Sequence, residues 1–506
     1  LLFGMGVHST LFGPAKYSII PQHVPAQELT HANAWVETGT FLAILLGNLI
    51  AGLVFETTNP TVWVSSLLIL FAVFGWQCSR KIPLAPTAQT KSDSTEKTTT
   101  LSVLQAAYAH RTLFLSMLGI SWFWFLGAAY LTQLPEYTKT FLMSQESVMA
   151  LLLIAFSIGI CLGSFLCHFL SGNRVEIGLV PLGALGLSLF GIDLGMIKPL
   201  EVQELFTMSS ALTSETHWRV FIDLLLIGIS GGLYIVPLYS FIQERSEEKS
   251  RARMIAANNI LNALFMVMSA LTGIFTLVIL KISLADFFLL LVVLNFLVSI
   301  YIFTVVPEFV VRFMMWCIIK IMYRVKGEGL EHLPKSGGAI IVSNHVSYVD
   351  ALIIGGLSPR PVRFIMYKPI YELPLLNFIF RVIKAIPIDS KTKNPEAYEK
   401  AFDEISKALK NGELICIFPE GKLTLDGEVG EFKTGLLRIL EKDPVPVIPT
   451  ALCGLWGSFF SHKGKPALTR LPKRFWSRVS WKVAEPIAAT QVEIEKLRNQ
   501  IIVMQG

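Results

Sequence analysis

Charge is what this chain has least of: only 16% of its 506 residues are Asp, Glu, Lys or Arg, against 53% hydrophobic. It also lacks any Cys-x-x-Cys or Cys/His cluster. The six cysteines, Cys78, Cys161, Cys167, Cys317, Cys416 and Cys453, are scattered through apolar surroundings, which speaks against a metal knuckle or a disulfide framework and for small core residues. No Gly-x-Ser-x-Gly occurs after residue 306 (the one match, Gly228–Gly232, lies inside a long apolar run), so the usual signature of a serine nucleophile is absent from the less apolar part of the chain. The net charge of +6 is not gathered into a basic stripe interleaved with aromatics, and nucleic acid is set aside as a partner. No metal-ligand spacing is present either.

Long apolar runs are what the sequence has in excess, and they are confined to residues 1–306. They fall at about 32–55, 61–79, 111–134, 147–170, 175–196, 217–243, 254–280 and 284–306, with a shorter, partly polar run at 1–21. A bilayer core needs about 20 apolar helical residues to cross it, so the pattern predicts about nine spans. Two stretches repeat: "GPAKYSIIPQHVPAQELTHANAWVE" (13–37) and "IVPLYSFIQERSEEKSRARMIAANNILN" (235–262). Each has Tyr-Ser-x-Ile, at Tyr17 and Tyr239, then a polar loop. Ala-Asn follows with a polar residue four positions on (Asn33 and Glu37; Asn258 and Asn262). Repeated halves are a transporter architecture, with the site between them near mid-membrane. Six spans in the second half and three in the first predict that about three N-terminal spans are missing.

The linker "SRKIPLAPTAQTKSDSTEKTTT" (79–100), Arg174, and the loop with Arg245, Lys249, Arg251 and Arg253 are basic, whereas 197–216 carries Glu201, Glu204 and Glu215. Placing the basic loops in the cytoplasm puts the end of the last span, near Pro307, and everything after it there as well. Charged groups inside the spans are costly, which makes Lys16, Glu37 and Asp223 the transport candidates. Interface positions or structural pairing are the competing explanation for all three. In "PEFVVRFMMWCIIKIMYRV" (307–325), Glu308, Arg312, Lys320 and Arg324 stand at multiples of four and share one side of a helix. The expectation is an amphipathic helix lying in the membrane interface.

From 338 the pattern alternates short apolar strands with helices. Strands are expected at 338–343, 362–367, 385–389, 414–419, 445–452 and 478–484, and helices at 350–357, 370–383, 395–410 and 434–442. This is an α/β domain. "SNHVSYVD" (343–350) and "FPEGK" (418–422) both follow strands, where such folds gather their chemistry. If the turn after His345 brings Asp350 to it, the carboxylate can hold the imidazole in one tautomer. His345 can then take a proton from an attacking hydroxyl. No other nucleophile is evident, so the hydroxyl would be the substrate's own.

The first half, specifically over 13–52, resembles the lysophospholipid transporters of the major facilitator superfamily. The ordered blocks His345-x4-Asp350, "AIPIDS" (385–390), "FPEGKLT" (418–424), "FKTG" (432–435) and "VPVIP" (445–449) resemble the glycerolipid acyltransferases. Together these resemblances imply an all-α polytopic membrane domain (1–306), a linking helix (307–325), a cytoplasmic α/β acyltransferase domain (326–490) and a C-terminal helix or tail (491–506). They imply His345 as general base, Asp350 as its orienting partner, and Asn344, Ser347, Pro419, Glu420, Gly421 and Lys422 as substrate-binding. No cofactor is implied; the co-substrate is an acyl thioester of acyl carrier protein or coenzyme A, and the setting is a bacterial inner membrane. Ser390 stands where family members acting on glycerol phosphates usually carry arginine, with Lys391 and Lys393 beyond it. Lys422-Leu423-Thr424 replaces their Thr-Arg. Both departures favour a phosphodiester acceptor such as lysophosphatidylethanolamine over a phosphate monoester. Acylation of lysophosphatidic acid or glycerol 3-phosphate, and a transporter with an inactive domain, stay as alternatives.

Overall fold

The computed structural model describes residues 2–25, 28–55, 58–83, 100–171, 175–201, 204–305, 307–334, 336–374, 376–461 and 476–506. Most of the basic linker, and Arg174, lie outside them. The chain divides into two compact units, Leu1–Phe309 and Val310–Gly506.

The first unit is helical throughout: α1 (Leu2–His23), α2 (Leu29–Phe55), α3 (Pro60–Ser79), α4 (Thr100–Ala109), α5 (Arg111–Glu136), α6 (Glu146–Ser171), α7 (Leu179–Met196), α8 (Met208–Ala211), α9 (Glu215–Arg245), α10 (Glu248–Gly273) and α11 (Leu284–Val305). Among the described residues, seven helices are long and apolar enough to cross a membrane: α3, α5, α6, α7, α9, α10 and α11, with α5 and α10 extended by a wider turn. Glycines set how closely they pack. Gly159 and Gly163 of α6 meet Gly228 and Gly232 of α9 so tightly that a Cβ on any of them would run into backbone of the other helix. Without a hydrophobic drive in lipid, such small-residue contacts are what hold helices together.

The second unit begins with α12 (Glu308–Cys317) and a wide helical turn at Ile318–Met322. A seven-stranded sheet follows, made of β1 (Tyr323–Glu328), β2 (Ala339–Ser343), β3 (Val362–Tyr367), β4 (Ile386–Ile388), β5 (Leu414–Ile417), β6 (Val447–Cys453) and β7 (Ser477–Val483). Between and after them run α13 (Asp350–Leu357), α14 (Lys368–Tyr371), α15 (Asn377–Val382), α16 (Pro395–Lys410), α17 (Gly435–Lys442) and α18 (Ile494–Gln505). Strand order is β1-β7-β6-β2-β5-β3-β4, parallel except where β6 meets β7. The central strand β2, "AIIVS", is buried along its whole length, as a parallel strand covered on both faces must be. Alternation assigns Ile341 to the core on one face, with Ile353, Ile354 and Trp481. It assigns Ile340 and Val342 to the other, with Ile405, Leu436, Leu497 and Ile501. Helix α16 starts where its sequence directs it: Asn394 caps the amide of Ala397 at 3.0 Å and Pro395 takes the first turn.

Two sequence expectations need revision. The stretch 307–325 is not one helix, because Tyr323–Val325 already belong to β1, whose charged alternation "YRVKGE" disguised an edge strand. The apolar side of the helix before it is also taken: Val311 and Met315 pack with Ile379, and Met315 and Ile319 reach Gly356. The helix expected at 370–383 is broken into α14 and α15 around Pro374, as a helix-interior proline requires. The stretch expected as a C-terminal helix or tail, 491–506, holds a helix, α18, which buries Leu497 and Ile501 in the sheet's core.

Candidate active site

Because β2 and β5 are parallel neighbours in register, Val342 opposite Ile417, their C-terminal ends deliver the next residues side by side. His345 follows β2 and Glu420 follows β5. The Glu420 carboxylate ties this edge together, accepting the amide of His345 at 2.8 Å through Oε1 and that of Gly430 at 2.9 Å through Oε2. The Thr424 amide donates back to the His345 carbonyl at 3.0 Å. Burial pushes the Glu420 carboxyl above the ordinary glutamate range, while its two amide donors and His345 pull it down.

The five-residue gap between His345 and Asp350 closes through a tight turn. Asp350, fully buried at the start of α13, accepts three hydrogen bonds on Oδ2: His345 Nδ1 at 2.9 Å, the Val346 amide at 2.7 Å and the Ser347 amide at 2.9 Å. The carboxylate fixes the turn and the ring at once. With Nδ1 donating to Asp350, the lone pair is on Nε2, which makes no hydrogen bond among the described residues. Phe418 stacks on the imidazole at 4.2 Å between centroids, and the His345 side chain stays 24% exposed. An oriented imidazole with a free basic nitrogen at an open edge can take a proton from a hydroxyl. Cys416, one strand residue away from this loop, is buried in β5 and its thiol is pushed well up by burial and then by Asp350, which leaves it inert as a nucleophile.

The remaining expected positions sort into two groups. Asn344 is buried and its amide is spent on β6, donating to the Leu452 carbonyl at 3.0 Å and accepting its amide at 2.8 Å. Ser347 is buried in the turn, its hydroxyl accepting the Val349 amide at 3.4 Å. These two hold the loop. Pro419 is buried, with its carbonyl accepting the Lys433 amide at 3.0 Å. Gly421 has φ +67°, so glycine is needed for the turn, and the end of the Lys433 side chain lies against it, 2.5 Å from where a Cβ would be. Lys422 is exposed beside Asp426. Lys433 was given no role from sequence although it lies in the quoted "FKTG" block, and it brings a second ammonium beside the loop that follows β5. Phe418 was likewise missed.

In the first unit, Lys16 and Glu37 come together and Asp223 does not join them. Tyr17 and Tyr239, matching positions of the internal repeat, stack at 4.6 Å with rings 3° from parallel. The Tyr17 hydroxyl donates to the buried Glu37 carboxylate at 2.7 Å. Lys16 lies 4.5 Å from the Tyr17 ring centroid and reaches Thr40 at 3.4 Å. Asn33 and Gln243 exchange hydrogen bonds at 2.6 and 3.1 Å, so the two copies of the repeat meet through both their rings and their amides. Asp223 is buried beside the ion pair of Asp193 and Arg219, two residues that sequence reasoning did not single out.

A model of the Major Facilitator Superfamily matches residues 1–270, and one described as Acyltransferase matches residues 324–453. The chain is 32% identical over 143 residues to a chloroplastic 1-acyl-sn-glycerol-3-phosphate acyltransferase of Arabidopsis thaliana, covering 28% of this chain and 39% of that protein. It is 28% identical over 153 residues to the 1-acyl-sn-glycerol-3-phosphate acyltransferase of Bacillus subtilis, covering 30% and 74%. Among solved structures, the 1-acyl-sn-glycerophosphate acyltransferase of Thermotoga maritima matches at 26% identity and a TM-score of 0.30, over 41% of this chain and 78% of that one. The match therefore spans about two-fifths of the plant relative's length.

Proposed function

The chain belongs to the Major Facilitator Superfamily and carries an acyltransferase domain behind its membrane helices; from that premise we propose that it is an O-acyltransferase acting on lysophospholipids. The observation that carries this reading is the 2.9 Å bond from His345 Nδ1 to a fully buried Asp350, which leaves Nε2 free on the exposed side. His345 Nε2 takes the proton of the lysolipid's free hydroxyl as its oxygen bonds to the thioester carbonyl carbon. The tetrahedral intermediate collapses, the carbon–sulfur bond breaks, and the departing thiolate takes the proton back from the imidazolium. Asp350 stabilises the imidazolium in between. No acyl-enzyme is formed. The acyl donor is a thioester of acyl carrier protein or coenzyme A.

The acceptor is lysophosphatidylethanolamine, brought to the cytoplasmic leaflet of a bacterial inner membrane by the helical unit through the site containing Lys16 and Glu37. Ser390 supports a phosphodiester acceptor: instead of an arginine clamp it gives a hydroxyl that accepts the Lys393 amide at 3.1 Å within its own turn. Joining transport and acylation in one chain would raise the acceptor's local concentration. Lysophosphatidic acid is the second reading, favoured by the activity for which the relatives are named. The test is acyl transfer by the full chain in lipid nanodiscs, with labelled thioester and three acceptors in parallel: lysophosphatidylethanolamine, lysophosphatidic acid and glycerol 3-phosphate. Preference for the first supports the proposal, and preference for either phosphate monoester replaces it with the second reading.

A further inference from the structure

On the far side of β6 from the catalytic loop, the second unit contains an open pocket of about 590 Å³ whose wall carries four basic side chains and one acidic one, Glu328. Lys320, Arg324, Lys326 and Arg478 line it, with Ile319 and Cys453. Arg324 and Arg478 are register partners on the adjacent parallel strands β1 and β7. Both are exposed, and alternation puts them on the same face of the sheet. Strands lie about 4.8 Å apart, and like charges placed opposite one another across strands are destabilising. Lys326 is answered by Glu328 at 3.3 Å, but neither arginine has a carboxylate partner among the described residues. Arg324 instead lies 3.9 Å over the ring of Trp476. Two arginines at paired register positions without a carboxylate partner suit an anion, since a phosphate between them would turn their repulsion into bidentate attraction.

Two further observations define the anion. Ile321 and Trp476, adjoining the basic wall, are 48% and 55% exposed, which places open apolar surface beside the cations, as an amphiphile requires. In sequence the site follows closely on a membrane span: Lys320 is fifteen residues beyond the end of α11 at Val305. Basic clusters so close to a span attract anionic lipid.

We propose that the pocket between the wide turn Ile318–Met322 and the β1–β7 edge seats the phosphate of one anionic phospholipid, bound between Arg324 and Arg478. This site is separate from the catalytic loop and does not depend on the catalytic reading. The test uses the full chain, delipidated in detergent, and counts bound dioleoylphosphatidylglycerol by native mass spectrometry. Dioleoylphosphatidylcholine, inorganic phosphate and coenzyme A serve as comparison ligands. The wild type is expected to hold one phosphatidylglycerol at least tenfold more tightly than Arg324→Gln/Arg478→Gln, and neither soluble phosphate source displaces it at equal concentration. Equal affinity in the two proteins overturns the site, and displacement by coenzyme A or phosphate overturns the lipid as its occupant. Thermal unfolding provides a second readout. Without anionic lipid the variant is expected to be at least as stable as wild type, because a repulsion is gone, and phosphatidylglycerol raises the melting temperature of the wild type alone. A variant less stable in the absence of lipid would make the arginines structural and refute the proposal.

Discussion

Replacing Asp350 with asparagine separates orientation from charge at His345, the proposed base. In the structure Oδ2 accepts all three hydrogen bonds, while Oδ1 is buried and has no hydrogen-bond partner among the described residues. The asparagine oxygen can therefore take the place of Oδ2, keeping the turn and the ring's tautomer, with its NH2 where Oδ1 was. What is lost is the negative charge facing the imidazolium. For charges about 4 Å apart at an effective dielectric near 20, that interaction is about 4 kcal/mol, or roughly a thousandfold in kcat. KM for the lysolipid should change little, because Asp350 does not touch the acceptor. The buried, unpartnered NH2 costs about 1–3 kcal/mol of stability, so thermal unfolding should shift down without loss of the fold. The assay is steady-state acyl transfer in nanodiscs alongside a melting curve. A folded Asp350→Asn chain within tenfold of wild-type kcat would refute the role of the carboxylate's charge.

Three other expectations follow from the same geometry. Asn344→Ala should cost about 2–4 kcal/mol of stability, because the amide and carbonyl of Leu452 lose their partners. It should leave the lysolipid KM of the folded enzyme unchanged, and a raised KM with unaltered melting would make Asn344 a ligand-binding group instead. Glu420 holds its proton to higher pH folded than unfolded because burial raises its carboxyl. Its ionisation thus costs stability that is absent below the ordinary glutamate range and fully felt above the folded value. Wild type should lose ground against Glu420→Gln as pH rises through that window, and melting curves with the opposite slope would contradict it. Tyr17→Phe leaves the buried Glu37 without its hydroxyl donor. Proteoliposome uptake of labelled lysolipid should fall at least tenfold while acyl transfer to lysolipid supplied at the domain persists, and unaltered uptake would remove this pair from the transport path.

How much could be read in advance depended on how local the signal was. Strands β2, β5 and β6 were visible as apolar runs because both their faces are covered, and β7 by the alternation of Val479, Trp481 and Val483. β1 was not, because on an edge strand every second residue faces solvent, and Arg324, Lys326 and Glu328 looked like the charged side of a helix. His345, Asp350 and Glu420 were legible because the turn and the strand ends are short-range features. Lys433 and Phe418 needed the folded loop, since only there does one approach Gly421 and the other stack on the imidazole. In the membrane unit the repeat pointed to Tyr17 and Tyr239, but their stacking and the Asn33–Gln243 exchange join residues more than 200 positions apart. No local pattern carries such a contact. Asp193 and Arg219 escaped for the same reason, one lying on α7 and the other on α9.

The central claim is that His345 is the base in a direct transfer from thioester to lysolipid. It is tested most directly by comparing acyl transfer by the full chain and by His345→Ala in the same nanodiscs, with labelled thioester and a lysophospholipid acceptor. Loss of at least a thousandfold in kcat in a variant that melts like the wild type is the predicted result. Activity within tenfold of wild type would mean that another group takes the proton, and the account of this site would fall.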